Sequence, residues 1–265
     1  MAFLNDISLG QFYPVDSFVH RLDPRTKLIA IMLIMTGLLV SFKLTVLSGF
    51  LAFSVFVVLL SRIPLTLVFR NLRPFLWLFL ITISVHLFWT SGQVLATLPI
   101  INISITREGL MMGFIYSLRL ALLVIFAAIL TLSTSPIELT DALEKMLAPL
   151  KRFRVPTHEI VMMLTLSLRF IPTLLEEAQR LKNAQISRGA TFEGSLIRRM
   201  RSIIPLVLPL FVSAFRRADE LALAMDSRCY AGGEGRTSFK RLKFTAPDYF
   251  VLVLTTGLCT ATILI

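Results

Sequence analysis

Residues 44–61, LTVLSGFLAFSVFVVLLS, form a run without a single charged side chain. At about 1.5 Å of rise per residue, a helix of this length crosses most of a bilayer core of about 30 Å. Backbone polar groups in lipid must be satisfied within the segment, and the run lacks the alternation of a barrel strand. It therefore predicts a transmembrane helix.

Similar apolar windows lie on both sides of this run, at residues 28–42, 74–90, 109–132 and 249–265. The composition agrees, because 55% of the chain is hydrophobic and only 16% is charged, with a mean hydropathy of +0.78. We predict an all-α, polytopic membrane protein with about five transmembrane helices. Four form a membrane domain at residues 1–132, and one forms a C-terminal helix at 246–265.

The basic residues predict the orientation of these helices. The chain carries a net charge of +11, with 27 Lys and Arg residues, 18 of which lie between residues 145 and 243. Cytoplasmic loops are enriched in Lys and Arg. We therefore predict a multi-pass cell-membrane protein with a cytoplasmic N-terminus. We expect the lipid bilayer as a partner and no nucleic acid, because basic strands with stacking aromatics are absent. Between the spans the basic residues alternate between many and few. Three precede the first span and three follow the second, whereas one follows the first and one the third: Arg21, Arg25 and Lys27, then Lys43, then Arg62, Arg70 and Arg73, then Arg107.

The region 133–245 is too charged for the membrane and too apolar for a disordered tail. It predicts a cytoplasmic or interfacial coupling region with three helices, at about 135–150, 157–187 and 194–227. Pro136 suits the first position of the first helix. The second and third helices are long rods of about 45 Å each.

An uncharged stretch at 203–215 lies within the third helix and contains Pro205 and Pro209. It is too short to span the membrane as a straight helix. A segment packed at the membrane interface and a kinked, short transmembrane helix both fit the pattern. Pro205 also fits the start of a helix, because proline interrupts the backbone hydrogen bonds of a helix interior.

The two long helices end in a repeat. AQISRG at 184–189 matches AMDSRC at 224–229, 40 residues later. Gly189 suits the left-handed residue that follows a helix, and the arginine before it meets the negative end of the helix dipole. The pattern fits two simple basic caps. It also fits two matched arginines, Arg188 and Arg228, that bind two similar partners through directed hydrogen bonds.

Other charged residues predict contacts rather than chemistry. Arg216 and Arg217, with Asp219 and Glu220, suggest crossing contacts between the two long helices, and Glu177 predicts a solvated or arginine-paired face. His86 and Arg119 lie within predicted spans. An ionisable group there marks a functional site by default, whereas a side chain paired inside the helix bundle is the alternative.

Several stretches together resemble the transmembrane T component of energy-coupling factor (ECF) transporters, which import vitamins and some metal ions. The resemblance covers nearly the whole chain and most resembles T components shared among several substrate-binding subunits. The stretches are GQFYP at 10–14, HRLDPRTKL at 20–28, TSPIELTDALEKMLAPL at 134–150, SLRFIPT at 167–173, AQISRG at 184–189, RRADELALAMDSRCY at 216–230 and GEGRT at 233–237.

The resemblance implies a division of labour. Two cytosolic ABC-type ATPases bind the ends of the coupling helices, and a membrane substrate-binding (S) subunit sits against the T component. The docking motifs map onto Ser187, Arg188 and Gly189, and onto Ser227, Arg228 and Cys229. Cys229 stands where glycine or alanine is commoner in the family, which argues against a tight left-handed cap at that position.

The chain itself has no P-loop, since GRT at 235–237 lacks the lysine and the upstream glycine that cradle phosphates. No catalytic set, cofactor site or metal-ligand spacing is apparent. We therefore expect a non-catalytic coupling subunit that takes its energy from other proteins. A stand-alone secondary transporter or channel is the alternative, although the inverted repeat typical of such folds is missing.

Overall fold

A computed structural model describes residues 12–41, 43–98, 103–192, 195–232 and 243–264. The chain divides into two compact units. One combines Gly10–Ala142 with Arg241–Ile265, and the other combines Met1–Leu9 with Leu143–Lys240. Gly10, Gln11, Gly194 and the stretch 233–237, which carried parts of the sequence prediction, lie outside the described residues.

The described chain is dominated by ten α-helices, which confirms the all-α prediction. A short antiparallel hairpin of β1 (Val94–Leu98) and β2 (Ile103–Thr106) joins two of them. The helices run, in chain order, as α1 (Phe18–Arg21), α2 (Pro24–Val40), α3 (Leu44–Ser61), α4 (Leu65–Leu72), α5 (Leu76–Trp89), α6 (Arg107–Ser133), α7 (Pro136–Leu147), α8 (Thr157–Ser187), α9 (Leu196–Asp226) and α10 (Ala246–Leu264).

The helix bounds follow the predicted windows closely, with two corrections. Residues 65–72, predicted as a loop, form α4, and a 3₁₀ turn at Arg73–Phe75 leads directly into α5. Pro74 does not interrupt this run, because proline is tolerated in the first turn of a helix. Pro205 does not begin a helix. It lies inside α9 with Pro209, as Pro172 lies inside α8.

By length and composition alone, four helical stretches of the described residues could cross a membrane: Leu44–Ser61, Leu65–Trp89, Arg107–Ser133 and Thr157–Ser187. Three of them match predicted spans. α2, with 17 residues, is shorter than these. α8 was predicted in the cytoplasm, and we retain that prediction because of the charges in its C-terminal half, at Glu176, Glu177, Arg180 and Lys182.

In the unit that combines Gly10–Ala142 with Arg241–Ile265, the helices α2 and α10 pack in parallel. At their N-terminal ends, the buried Asp248 accepts the backbone N–H of Asp23 at 2.9 Å and that of Thr245 at 2.8 Å. Further along, a Cβ atom on Gly37 would lie 3.6 Å from Cys259 Sγ. Asp248 thus satisfies backbone donors of both helices, which a buried carboxylate must do to be stable.

The helices α5 and α6 approach each other through two glycines of α6 spaced four residues apart. A Cβ atom on Gly109 would lie 2.5 Å from the carbonyl oxygen of His86, and one on Gly113 would lie 3.2 Å from Ile83 Cα. Such spacing of small residues lets two helix backbones meet closely in a membrane, where packing rather than water drives association. This contact fixes α5 on α6.

The two ionisable groups inside predicted spans both have partners. Arg119 is buried, and its Nη2 donates a hydrogen bond to the carbonyl of Ser41 at the end of α2. The Arg119 guanidinium also lies 5.1 Å from the centre of the Tyr116 ring. The imidazole ring of His86 stacks on the Tyr116 ring, with 4.5 Å between the two ring centres. Both therefore take part in packing within the bundle, the second of the alternatives predicted for them.

We predict that Gly109→Ala destabilises the protein, because the new methyl group would collide with the backbone of α5. Overpacking of this kind costs about 1–3 kcal/mol. Thermal unfolding of the detergent-solubilised protein should begin several degrees lower. Gly49→Ala in α3 is the matched control, since nothing lies within 4 Å of the added carbon. Equal stability of the two variants would contradict the close approach.

Candidate docking site

The first predicted docking motif lies at the C-terminus of α8. Arg188 is the C-cap residue, and Gly189 follows with φ +85. The backbone N–H of Gly189 donates to the Ile186 carbonyl at 2.9 Å, and that of Ala190 donates to the Gln185 carbonyl at 2.9 Å. This pair of bonds defines a Schellman cap with glycine as its left-handed residue. The predicted helix end at Gly189 is thus present.

The second motif forms the same cap at the end of α9. The N–H of Cys229 donates to the Asp226 carbonyl at 2.9 Å, and that of Tyr230 donates to the Met225 carbonyl at 3.1 Å. Cys229 has φ +55 and therefore adopts the left-handed conformation. The expectation that cysteine argues against a tight left-handed cap at this position was wrong. The two closing hydrogen bonds offset the strain of a side chain in this region.

The two caps correspond residue by residue, and both place an arginine at the last position before the left-handed turn. We call the exposed residues 187–189 the α8 tip and the exposed residues 227–229 the α9 tip. Ser187, Arg188, Gly189, Ser227, Arg228 and Cys229 are all exposed, and the order of exposed and half-buried residues is the same from 184 to 190 as from 224 to 230. The serine hydroxyls turn back to carbonyls of their own helices, so the arginines are the outward groups.

The helices α8 and α9 are antiparallel. Near the connection between them, Ser202 Oγ donates to the Thr191 carbonyl at 2.8 Å. At the far end of the pair, the Tyr230 hydroxyl contacts Met162 Sδ at 3.2 Å. These contacts join the start of each helix to the chain just past the end of the other. The two tips therefore lie at opposite ends of the pair.

An ion pair joins the helices midway between the tips. Arg217 Nη2 lies 3.1 Å from Glu177 Oε2, and the Ser213 hydroxyl also hydrogen-bonds Glu177. The paired residues are 40 positions apart, the same offset as the two tips. Arg188 is 11 residues beyond Glu177, and Arg228 is 11 beyond Arg217, or about 16 Å along each helix. The antiparallel helices α8 and α9 are thus related by a near two-fold symmetry about the Glu177–Arg217 contact.

Of the four residues expected at the crossing, the structure brings Arg217 into an ion pair with α8. Arg216, Asp219 and Glu220 are exposed, and no ion pair with α8 is seen for them among the described residues. Arg216 and Asp219 lie on faces of α9 that differ from that of Arg217, since residues one or two apart on a helix do not share a face. Glu220, three residues after Arg217, is nevertheless exposed. Glu177 was predicted to face either solvent or an arginine, and Arg217 is that arginine.

A groove next to the α9 tip contains residues that the sequence prediction missed as a group. The groove has a volume of about 600 Å³, and two of its lining residues are Arg169 and Arg228. Arg169 belongs to the SLRFIPT stretch, but nothing in that stretch alone indicates its neighbour. The 40-residue repeat, combined with antiparallel pairing of the two helices, would have placed Arg169 opposite Met225.

The first half of α9 exposes a continuous apolar face. Ile204, Leu208, Phe211 and Phe215 are 59–69% exposed and follow the three- and four-residue spacing of one helix side. The four residues of this face all lie within the uncharged stretch 203–215. An exposed apolar surface of this kind is typical of a protein or membrane contact.

The chain matches the family model described as "Cobalt transport protein" over residues 16–239. It is similar to proteins named "Energy-coupling factor transporter transmembrane protein EcfT". Identity is 48% with that of Heliobacterium modesticaldum, covering 96% of this chain and 95% of the relative. It is 45% with that of Thermanaerovibrio acidaminovorans, covering 96% and 94%. It is also 45% with that of Ruminiclostridium cellulolyticum, covering 98% and 97%.

These matches extend through the membrane helices, both long helices and both tips. An apolar helical bundle that carries two matched arginine caps agrees with the relatives' description as transmembrane transporter components. The chain belongs to the family of energy-coupling factor transporter transmembrane proteins.

Proposed function

We propose that this chain is the coupling subunit of an ATP-driven importer and that Arg188 and Arg228 each bind one cytosolic ABC-type ATPase. The observation that carries the proposal is the repetition of one cap geometry at two exposed tips. A simple helix end needs no such repetition, because many residues and turns can satisfy the last carbonyl groups. Two equal surfaces are what a dimer of similar ATPases requires.

Arginine is suited to this contact for a physical reason. Its guanidinium stays charged and offers five donors in a planar fork, so it can bind acceptors on a partner in a defined direction. At the end of a helix the positive charge also stabilises the helix dipole. The same side chain can therefore hold the helix end in shape and transmit movement from an ATPase along the rod.

A membrane substrate-binding subunit is the third partner. The apolar face of α9 from Ile204 to Phe215 supports this assignment, because exposing an apolar surface to water is unfavourable and a partner subunit would cover it. Movement of the two tips would displace this face and hence the bound subunit. The cargo class, vitamins or other micronutrients, follows from the family resemblance, as does sharing among several substrate-binding subunits.

The proposed orientation places the N-terminus, the loop before α4 and the two tips in the cytoplasm. The distribution of Lys and Arg supports it. The parallel packing of α2 on α10 agrees with an odd number of spans, in which the first and the fifth run in the same direction. Cys229, exposed at the α9 tip, provides a natural probe of this arrangement.

We predict that the double variant Arg188→Ala/Arg228→Ala loses ATP-driven uptake by more than about tenfold, because truncating a charged interface contact typically costs about 2 kcal/mol or more. Uptake is measured in proteoliposomes that contain the chain, the two ATPases and a substrate-binding subunit. Each single variant should retain an intermediate rate, since each tip has its own partner.

The matched control is Arg152→Ala/Arg180→Ala, which removes the same charge from two exposed positions away from the tips. It should transport normally, and both double variants should insert into the membrane. Unimpaired uptake by the Arg188/Arg228 variant would refute the docking role. Uptake by the chain alone, without ATP, would instead favour a secondary transporter.

We predict that a membrane-impermeant maleimide labels Cys229 in inside-out vesicles and not in intact cells. Lys43→Cys in a background of Cys229→Ser and Cys259→Ser should show the reverse, because Lys43 lies between α2 and α3 on the predicted outer side. Mass spectrometry of the labelled chain gives the readout. Labelling of Cys229 from outside would reverse the orientation.

A further inference from the structure

We propose that a cavity among the membrane helices binds one acyl chain of a phospholipid, whose phosphate lies beside Arg21. The cavity has a volume of about 200 Å³ and is lined by residues of α1, α2, α3, α6 and α10. Among the described residues, none that lines it belongs to α8 or α9. The inference is therefore independent of the proposed docking function.

The wall of the cavity consists almost entirely of carbon atoms, although three of its residues carry polar side chains. The Lys27 ammonium donates to the carbonyl oxygens of His20 and Ser133, at 3.2 and 2.8 Å. The Thr255 hydroxyl donates to the Val251 carbonyl at 2.9 Å. The Ser133 hydroxyl is buried and has no hydrogen-bond partner among the described residues. One hydroxyl is not enough to hold a water molecule, which needs about two to four polar partners, so the cavity favours an apolar occupant.

A cavity of this size and lining is suited to hydrocarbon. In other proteins an apolar cavity of about 150 Å³ stays dry and binds benzene. If such a space is left empty, the side chains around it lose the dispersion contacts that a packed interior provides. A hydrocarbon chain would restore these contacts.

The cavity opens on a side of the helices that faces lipid. Phe18, Phe56 and Phe250 line it and are exposed, whereas Ile34 and Phe126 line it and are buried. Phe56 belongs to α3, which is long and apolar enough to cross a membrane. The medium outside the exposed rings is therefore hydrocarbon, and lipid acyl chains are the molecules that are always present there.

A positive charge beside the opening favours a phospholipid over an uncharged hydrocarbon. Arg21 follows Phe18 by three residues in α1, so both side chains lie on the same side of that helix. The Arg21 side chain is exposed, and its contact with Asp16 at 3.9 Å is exposed as well, which makes this ion pair weak. The guanidinium of Arg21 can therefore bind a phosphate, whose oxygen atoms match its planar fork.

The test uses the full chain in lipid nanodiscs that contain a phosphatidylglycerol with a diazirine midway along one acyl chain. After irradiation, mass spectrometry assigns the labelled residues. We expect label on Ile34 and Phe126, at the closed end of the cavity, and on Leu80, an exposed residue of α5 outside it. Lipid that only surrounds the protein reaches Leu80 but not the two buried residues. Label confined to exposed residues would overturn the inference.

Two variants close the cavity. Ala30→Phe places a ring inside it, because Ala30 is a buried lining residue, and Leu254→Trp enlarges an exposed lining residue at the opening. Both should lose the label on Phe126 and keep that on Leu80. Leu254→Trp changes only an exposed side chain, so it should fold even if Ala30→Phe does not. Val253→Trp, at an exposed position of α10 outside the cavity, is the matched control and should keep both labels. A Phe126 label that persists in Leu254→Trp would contradict binding in the cavity.

Arg21→Ala tests the position of the phosphate. We expect the label on Phe126 to fall about tenfold, the effect of losing one charged hydrogen bond, while the label on Leu80 is unchanged. Arg73→Ala removes the same charge at an exposed position in the 3₁₀ turn before α5 and should alter neither label. An unchanged Phe126 label in Arg21→Ala would overturn the assignment of a phospholipid phosphate to Arg21.

Discussion

The end of a helix leaves its last carbonyl groups without partners in the helix, and both long helices of this protein meet that constraint in the same way. The chain turns left-handed at Gly189 and at Cys229, and the following N–H groups bond back to the final turn. This geometry places an arginine directly before each turn, in solvent. The proposed docking therefore depends first on backbone hydrogen bonding and only then on the charge of Arg188 and Arg228.

The arrangement of the two tips depends on antiparallel packing. The ion pair between Glu177 and Arg217 marks the centre of the pair, yet both side chains are partly exposed, at 27% and 40%. Pairs of this kind contribute about 0–1 kcal/mol. The Glu177–Arg217 ion pair sets the register of α8 against α9, since it joins positions that are equivalent in the repeat. The stability of the pair must come from its other contacts, such as that of Tyr230 with Met162.

Much of this fold could be predicted from the sequence where one segment decides its own structure. The bounds of α3 and α8 agree with the predicted ones, and the cap at Gly189 follows from the conformational freedom of glycine. The cap at Cys229 could not be predicted, because the hydrogen bonds that offset its strain depend on the residues after it. α4 was missed because Arg70 and Arg73 kept residues 65–73 out of the uncharged windows by which the spans were located.

Contacts between segments were harder to predict. Gly109 and Gly113 have no evident role until α5 is known to lie against them. Arg217 was expected at the crossing, but its three neighbours were included because the sequence did not show which face of α9 meets α8. Arg169 became visible as a neighbour of Arg228 only through the antiparallel register. In each case the missing information was the identity of the neighbouring helix.

The two arginine tips project from opposite ends of one antiparallel helix pair. The most direct test is the distance between spin labels at residue 229, through the natural Cys229, and at residue 190 in Ala190→Cys, with Cys259→Ser. Double electron–electron resonance on the full chain in lipid nanodiscs gives this distance. We expect about 30 Å, from 11 helical residues on each side of the Glu177–Arg217 contact. A distance below about 20 Å would place the tips side by side and contradict their placement at opposite ends of the helix pair.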